Sequence, residues 1–357
     1  MKMKAPCLPC HQNQVPREIL PSRYLKALAA AAKITTGPRQ LSPEEMAQVV
    51  ASVKEHGDPA RGEAIFRRAE LNCLKCHSIG DAGGLVGPNM LSLGATAQLD
   101  YIVDSLLIPG KNIKEGYQTV VVQTTEGKVL SGIKLRQTNT DLLIRDAEDQ
   151  ELSIPLAQIE EQNNGASLMP TGLADRLTES EFRDLVAFLA ALGRVPEFTI
   201  QSDQIIVRKW QTLTATKPAS YAILRTRFAT AAEDHPDFLW QSIYSGVNGK
   251  LPLAEVPHMH TRYNLKPTDL GASFLRANLE VLQPGKAKLV IEPTAGVSVW
   301  IDQTPYDPAA APTIDWTTGM QKITIAVDHD VAGNAPLSLR VEAPADKAAL
   351  IKVVGGK

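Results

Sequence analysis

Residues 73–77 read Cys-Leu-Lys-Cys-His, and residues 7–11 repeat the same spacing as Cys-Leu-Pro-Cys-His. These two strings contain all four cysteines of the chain. Two thiols three positions apart can each form a thioether with one porphyrin vinyl group, and the histidine that follows is then placed to ligate the iron. The spacing therefore predicts a covalently attached haem c at Cys73 and Cys76, with His77 as the proximal ligand.

Paired cysteines also occur in disulfides, zinc sites and thioredoxin-like motifs. A zinc site would have to bring residues 7–10 beside residues 73–76, and it would leave His11 and His77 without a role. A thioredoxin-like motif lies between a strand and a helix. Around Cys73 the sequence instead predicts a helix before the motif and a glycine-rich loop after it. The second motif therefore favours haem.

The segments around the second motif have helical periodicity. Asp58 is suited to cap a helix that runs towards the motif, since a proline follows it at the first helical position. After the glycine-rich loop 80–90, a second helix is expected over about 96–108. Thr178 begins a capping box for a third helix, which Gly193 ends.

The periodicity changes to two between the second and third of these helices. Residues 117–123 and 128–136 predict a hairpin closed by a Glu-Gly turn, and two further short strands continue to residue 154. We therefore expect a small β-module, at about 115–162, inserted into an otherwise helical domain at 57–195.

Together these segments resemble a class I cytochrome c, which has a helix ending in Cys-x-x-Cys-His, a Gly-Pro-Asn loop, a middle helix, a Met-Pro loop and a crossing C-terminal helix. The run over 57–194 is similar, more specifically, to the Planctomycete-type haem-binding domain, a c-type haem domain with an inserted β-module. The phrases that carry the likeness are GDPARGEAIFRR, CLKCH, GGLVGPNM, DSLLIPGKNIKEGY, SLMPTGL and LTESEFRDLVAFL.

The resemblance implies roles for individual residues. Cys73 and Cys76 match the thioether pair, and His77 matches the proximal ligand. Pro88 matches the residue whose carbonyl accepts a hydrogen bond from the proximal imidazole, a contact that fixes the tautomer and raises the basicity of the ligand. Met169 matches the distal thioether ligand, which gives the usual His/Met pair of a cytochrome c.

Met90 competes with Met169 for the distal position. Met169 stands in a loop just before a capped helix, and the proline that follows it stiffens this loop. Met90 follows the proximal-side Gly-Pro pair instead, so we expect it to pack against the ring as a core methionine does.

The first motif, in the segment 1–56, is harder to interpret. Only six residues precede Cys7, so the helix that packs a haem domain is missing. Residues 41–53 nevertheless resemble the last helix of a cytochrome c, and the segment is interpreted as a truncated domain. Two alternatives stay open: Cys7, Cys10 and His11 bind a second haem with His11 on the iron, or they form a disulfide or free thiols in a tail.

Residues 197–357 contain no cysteine and consist of short alternating runs separated by glycine, proline and Asn-Gly. This pattern predicts an all-β, sandwich-like domain, so that the fold class expected for the whole chain is α+β with several domains. Residues 297–328 loosely resemble the PA14-like and galactose-binding-like sandwiches, and no sugar-binding residue is carried over. His258 and His260 alternate on one segment, but two histidines alone make an incomplete metal site.

Composition excludes several classes of function. The net charge is -2 and no long basic run occurs, which disfavours nucleic acid as a partner. The sequence contains no run of 18 apolar residues, so it predicts no membrane-spanning helix. Residues 1–4 look like the charged start of a signal peptide, yet no apolar region follows. Because c-type haem is attached outside the cytoplasm, we expect a fragment of a larger periplasmic or otherwise extracytoplasmic protein.

The leading hypothesis is an electron-transfer protein rather than an enzyme, because a His/Met haem has no open iron position for substrate. Its partner would be a redox protein, steered by Lys75 and the loop 111–114 beside the haem edge. One rival is a peroxidase-like enzyme with a five-coordinate haem at the first motif. The other is a binding module, in which the sandwich holds a carbohydrate or a protein beside a tethered haem.

Overall fold

The computed structural model describes residues 40–200, 204–261, 271–344 and 346–354. The protein is mixed α/β, and the C-terminal half is largely β-structure. The strands of each sheet pair antiparallel. The expectation of helices and sheets in one chain, with a β-rich C-terminal half, is confirmed at this level. Cys7, Cys10 and His11 lie outside the described residues, and the expectations for them stay predictions.

Three helices of the N-terminal half begin where a side chain satisfies their first free N–H groups. Ser42 and Thr178 each form a capping box, and the Asp58 carboxylate accepts from two backbone N–H groups. The helix expected over 96–108 begins later, since Ala97 is extended and separates two shorter helices. The bounds are α1 Pro43–His56, α2 Pro59–Phe66, α3 Cys73–Cys76, α4 Leu93–Thr96, α5 Leu99–Leu107 and α6 Glu179–Ala191.

A two-stranded hairpin, β1 (Ser78–Ile79) and β2 (Ala82–Gly83), follows the Cys-x-x-Cys-His motif directly. The β-module comes after α5 as a five-stranded sheet in the order β6-β5-β4-β3-β7. Valine, leucine and isoleucine side chains from its strands form a small core of their own. Its strands are β3 Thr119–Thr124, β4 Val129–Gln137, β5 Asp141–Arg145, β6 Glu151–Pro155 and β7 Ile159–Asn164.

The C-terminal half contains two antiparallel sheets whose side chains share one core. The larger sheet has the order β10-β9-β11-β16-β13-β14, with β18 also paired to β11, and the smaller has the order β15-β12-β17-β8. The elements are β8 Ile205–Ile206, β9 Lys209–Leu213, α7 Lys217–Thr226, β10 Trp240–Tyr244, β11 Ala272–Gln283, β12 Gly285–Glu292, β13 Val297–Ile301, β14 Thr304–Tyr306, β15 Ile314–Trp316, β16 Gly319–Asp328, α8 His329–Ala332, β17 Ser338–Glu342 and β18 Leu350–Val354.

In the described part of the chain, no helix is long and apolar enough to cross a membrane. The expectation that the sequence holds no membrane-spanning segment agrees with this finding.

The two halves are joined through α2. The backbone N–H of Val247 donates to the Glu63 carboxylate at 2.6 Å, and Arg67 pairs with Glu255 at 2.5 Å. Arg208 is buried beside them and donates through Nε to the Val247 carbonyl at 2.8 Å. Burial raises the pKa of Glu63, since the ionised carboxylate loses water that one hydrogen bond only partly replaces.

We expect Glu63→Gln to raise the free energy of unfolding above that of the wild type at pH 7, and to raise it less or not at all at pH 4. A carboxyl whose pKa is raised by folding contributes stability below its unfolded pKa, and this contribution is lost as the pH rises through the folded value. Glutamine keeps the acceptor for Val247 and has no charge to bury. Urea unfolding at both pH values measures the difference against Glu115→Gln, an exposed control. A variant that is less stable than the wild type at pH 7 would show that the charge of Glu63 is required.

Candidate functional site

A slot of about 440 Å³ opens among the helices of the N-terminal half. This volume lies within the range of small-molecule and cofactor sites. Its walls are largely apolar and come from α2, α5 and α6 and from the loops at 86–93 and 167–173. The slot brings together the site residues predicted for the second motif and the competing methionine, although they lie far apart in the sequence: Cys73, Cys76, His77, Pro88, Met90 and Met169.

His77 is the most constrained of these residues. Its Nδ1 lies 2.9 Å from the Pro88 carbonyl oxygen. A carbonyl oxygen only accepts, so Nδ1 carries the proton and the lone pair of Nε2 is free to bind a metal. Burial lowers the pKa of His77, because the imidazolium form would lose its hydration, and the ring is thereby kept neutral. The contact to Pro88 is the one that the resemblance implies, whereas iron ligation stays a prediction.

The glycine-rich loop approaches the motif too closely for side chains. A Cβ on Gly87 would lie 2.5 Å from Nδ1 and Cε1 of the His77 ring, and a Cβ on Gly84 would collide with the Lys75 carbonyl. The N–H of Gly87 also donates to the Cys76 carbonyl at 2.6 Å. Glycine at these positions therefore lets the loop press the imidazole into one orientation.

Cys73 and Cys76 are free thiols rather than a disulfide. Burial raises the pKa of Cys73 to about 11 and raises the pKa of Cys76 as well. Cysteines that act as nucleophiles or redox catalysts have a lowered pKa, because the thiolate is the reactive form. The raised pKa values therefore do not mark either cysteine as a nucleophile or a redox catalyst.

The two methionines enter the slot from different loops of the chain. Met169 lies in the loop after the β-module, and its N–H donates to the Ser167 hydroxyl at 3.2 Å. Met90 is tied to the motif side, since its N–H donates to the carbonyl of Ser78, the residue after His77, at 2.8 Å. Met90 also packs against the helical core. Both methionines line the slot, and the assignment of Met169 as ligand and of Met90 as packing residue stays a prediction.

The cations expected beside the slot are largely neutralised. Lys75 pairs with Glu148 at 3.0 Å, and Lys111 pairs with Asp104 at 2.5 Å. Lys114 and Arg176 line the slot and have no carboxylate partner among the described residues. Sequence reasoning missed Arg176 and Glu148. No local pattern reveals that a hairpin turn of the β-module returns to a residue 73 positions earlier.

His258 and His260 lie outside the slot, both are exposed, and the methionine between them is buried. The His258 ring lies near the His329 ring, at 5.4 Å between centroids and 50° between planes. Within the described ranges, no group of three or more His, Cys, Asp or Glu side chains is arranged to hold a metal ion.

No protein-family model matches the chain, and a search of curated proteins also finds no match. The likeness to cytochromes c therefore rests on the phrases quoted above.

We expect Gly87→Ala to destabilise the N-terminal half by about 1–3 kcal/mol, the usual cost of forcing an extra methyl group into a packed site. Gly110→Ala is the matched control, because nothing lies within 4 Å of a Cβ at that position. Urea unfolding followed by the helical circular dichroism signal measures both variants. Equal stability of the two variants would mean that the loop can withdraw from His77 freely.

Proposed function

We propose that the chain is a c-type cytochrome that transfers electrons through a covalently attached haem c. The observation that carries this proposal is the shared slot of Cys73, Cys76, His77 and Met169, which has the volume of a cofactor site. Under this proposal, the helices and the β-module form a class I cytochrome c domain of the Planctomycete type. The two sheets at 204–354 would then be its sandwich-like companion domain.

Four residues would hold the haem. Cys73 and Cys76 would provide the thioether bonds, and His77 and Met169 the axial ligands. When bound, the haem supplies a one-electron ferrous/ferric couple.

The remaining lining residues would control the environment of the cofactor. The Pro88 carbonyl accepts a hydrogen bond from Nδ1 of His77, which fixes the tautomer in which Nε2 keeps a free lone pair. Phe66, Leu106 and Leu189 give the slot apolar walls that exclude water. A dry and rigid surround lowers the reorganisation that accompanies a change of charge at the centre. These are the requirements of an electron carrier, and they involve no substrate site at the iron.

The other expectations follow from this proposal. Haem of this kind is attached outside the cytoplasm, so we place the protein in the periplasm or another extracytoplasmic compartment, with a redox protein as its partner. A second haem at Cys7, Cys10 and His11 remains an additional proposal. The peroxidase-like alternative depends on that second haem, and the binding-module alternative has no specific residue in its favour.

The haem count tests the proposal directly. Expressed in a host with c-type haem machinery, the protein should be coloured, and its intact mass should exceed that of the polypeptide by one or two haems. Cys73→Ala/Cys76→Ala should lose one covalent haem, while Cys7→Ala/Cys10→Ala should retain the haem at the second motif. A colourless preparation with the mass of the bare chain would overturn the proposal.

The axial ligand is tested by Met169→Ala. Removal of the thioether should convert a low-spin, six-coordinate haem into a species that binds added cyanide or imidazole about 10-fold or more tightly, because the protein ligand no longer competes. Met90→Ala is the matched control in the same slot and should keep the low-spin spectrum. If Met90→Ala changes the spectrum and Met169→Ala does not, the assignment of the distal ligand is wrong.

A further inference from the structure

The β-module reaches the slot through one of its hairpin turns. This turn, residues 146–150, joins β5 to β6, and Ala147 and Glu148 at its tip line the slot together with Cys76. The turn therefore stands over the Cys-x-x-Cys edge of the slot.

Three contacts connect the module to this edge. The Lys75 ammonium, between the two cysteines of the motif, pairs with Glu148 at 3.0 Å. The N–H of Leu85, in the glycine-rich loop, donates to the Asp149 carboxylate at 3.2 Å. Arg145 donates through Nη1 to the Leu85 carbonyl, also at 3.2 Å. The module thus contacts both the motif and the loop that presses on His77.

The turn itself is well ordered by its own hydrogen bonds. The Asp146 carboxylate accepts from the N–H groups of Glu148 and Gln150, each at 2.9 Å. Arg145 pairs with Asp149 at 3.2 Å and with Glu151 at 2.5 Å at the base of the turn. The turn is therefore preformed and would move as a unit.

The ion pair at the tip of the turn is strongly exposed to solvent. Glu148 is 70% exposed and Lys75 is 49% exposed, so water and salt screen their attraction. Arg145 is more protected, since its side chain is only 15% exposed. The tip of the turn is thus held by an exposed ion pair, and its base is held by a protected arginine.

We propose that the 146–150 turn is a salt-sensitive lid over the Cys76 edge of the slot. The Lys75–Glu148 pair is its latch, the hydrogen bond from the Leu85 N–H to Asp149 breaks when it opens, and the Arg145–Glu151 pair at the base of the turn is its hinge. With the lid closed, solvent and protein partners do not reach the slot by this edge, and higher ionic strength opens it. The lid itself is a property of the chain. Its role in electron exchange rests on the proposed function.

Amide hydrogen exchange of the full chain, resolved to peptides, tests the lid. The Leu85 amide is protected only while the turn is closed, so its exchange reports the opening equilibrium. We expect Glu148→Gln to accelerate exchange in the peptide containing Leu85 by about two- to fivefold, the factor by which an exposed ion pair shifts an equilibrium. In wild type, 0.5 M salt, about three times physiological ionic strength, should have the same effect, while the variant should respond little.

Two controls separate a lid from a general effect of charge. Glu126→Gln removes a carboxylate that pairs with Lys128 at 2.9 Å on the same module, away from the slot, and should leave the Leu85 peptide unchanged. The swap Lys75→Glu/Glu148→Lys should restore slow exchange. Exchange within α6 should be the same in all variants, which shows that the fold is intact.

The outcomes are distinct from those of the haem experiment. Equal exchange of the Leu85 peptide in wild type and Glu148→Gln, without a response to salt, would overturn the lid whether or not haem is attached. Acceleration by Glu126→Gln of the same size would also overturn it. A chain that carries no haem but shows the expected exchange pattern would refute the proposed function and leave the lid in place.

Discussion

The close approach of the glycine-rich loop to the motif determines the geometry of the slot. Gly87 lies against the His77 ring, and its N–H donates to the Cys76 carbonyl. The carbonyl of the next residue, Pro88, accepts a hydrogen bond from Nδ1 of His77. These contacts require the absence of a side chain at one position and the presence of a carbonyl at the next. Because His77 follows the two cysteines directly, fixing its ring also fixes where the thiols stand relative to the slot.

The helices hold this arrangement in place from outside. Phe188 of α6 is fully buried and packs against Phe66 of α2 and against Phe198, with ring centroids 5.6 and 5.5 Å apart. Asp184, also buried, accepts a hydrogen bond from the Asp58 N–H at 2.9 Å and thereby links α6 to the start of α2. The Phe188–Phe66 and Asp184–Asp58 contacts join residues more than 100 positions apart, so the motif that follows α2 and the methionine loop before α6 are brought to one slot.

Much of this arrangement was predictable from the sequence, because it is encoded locally. The capping boxes at Ser42 and Thr178 and the alternating strands of the β-module leave patterns within ten residues. The split of the middle helix at Ala97 was not predicted, since its apolar periodicity continues through an extended residue. The pairing of Lys75 with Glu148 could not be predicted from the sequence either. It depends on how an inserted sheet is oriented on its host domain, and no periodicity reports that.

The inserted module changes the electrostatics as well as the shape of the slot. The sequence suggested a positive edge formed by Lys75 and the loop 111–114. Carboxylates neutralise Lys75 and Lys111, and Lys75 receives its partner from the module. An edge without net charge gains little from long-range steering. Attraction of an acidic partner to the slot would then depend on Lys114 and Arg176, which line it without a carboxylate partner among the described residues. The module thus covers one side of the slot and leaves the unbalanced positive charge to these two residues.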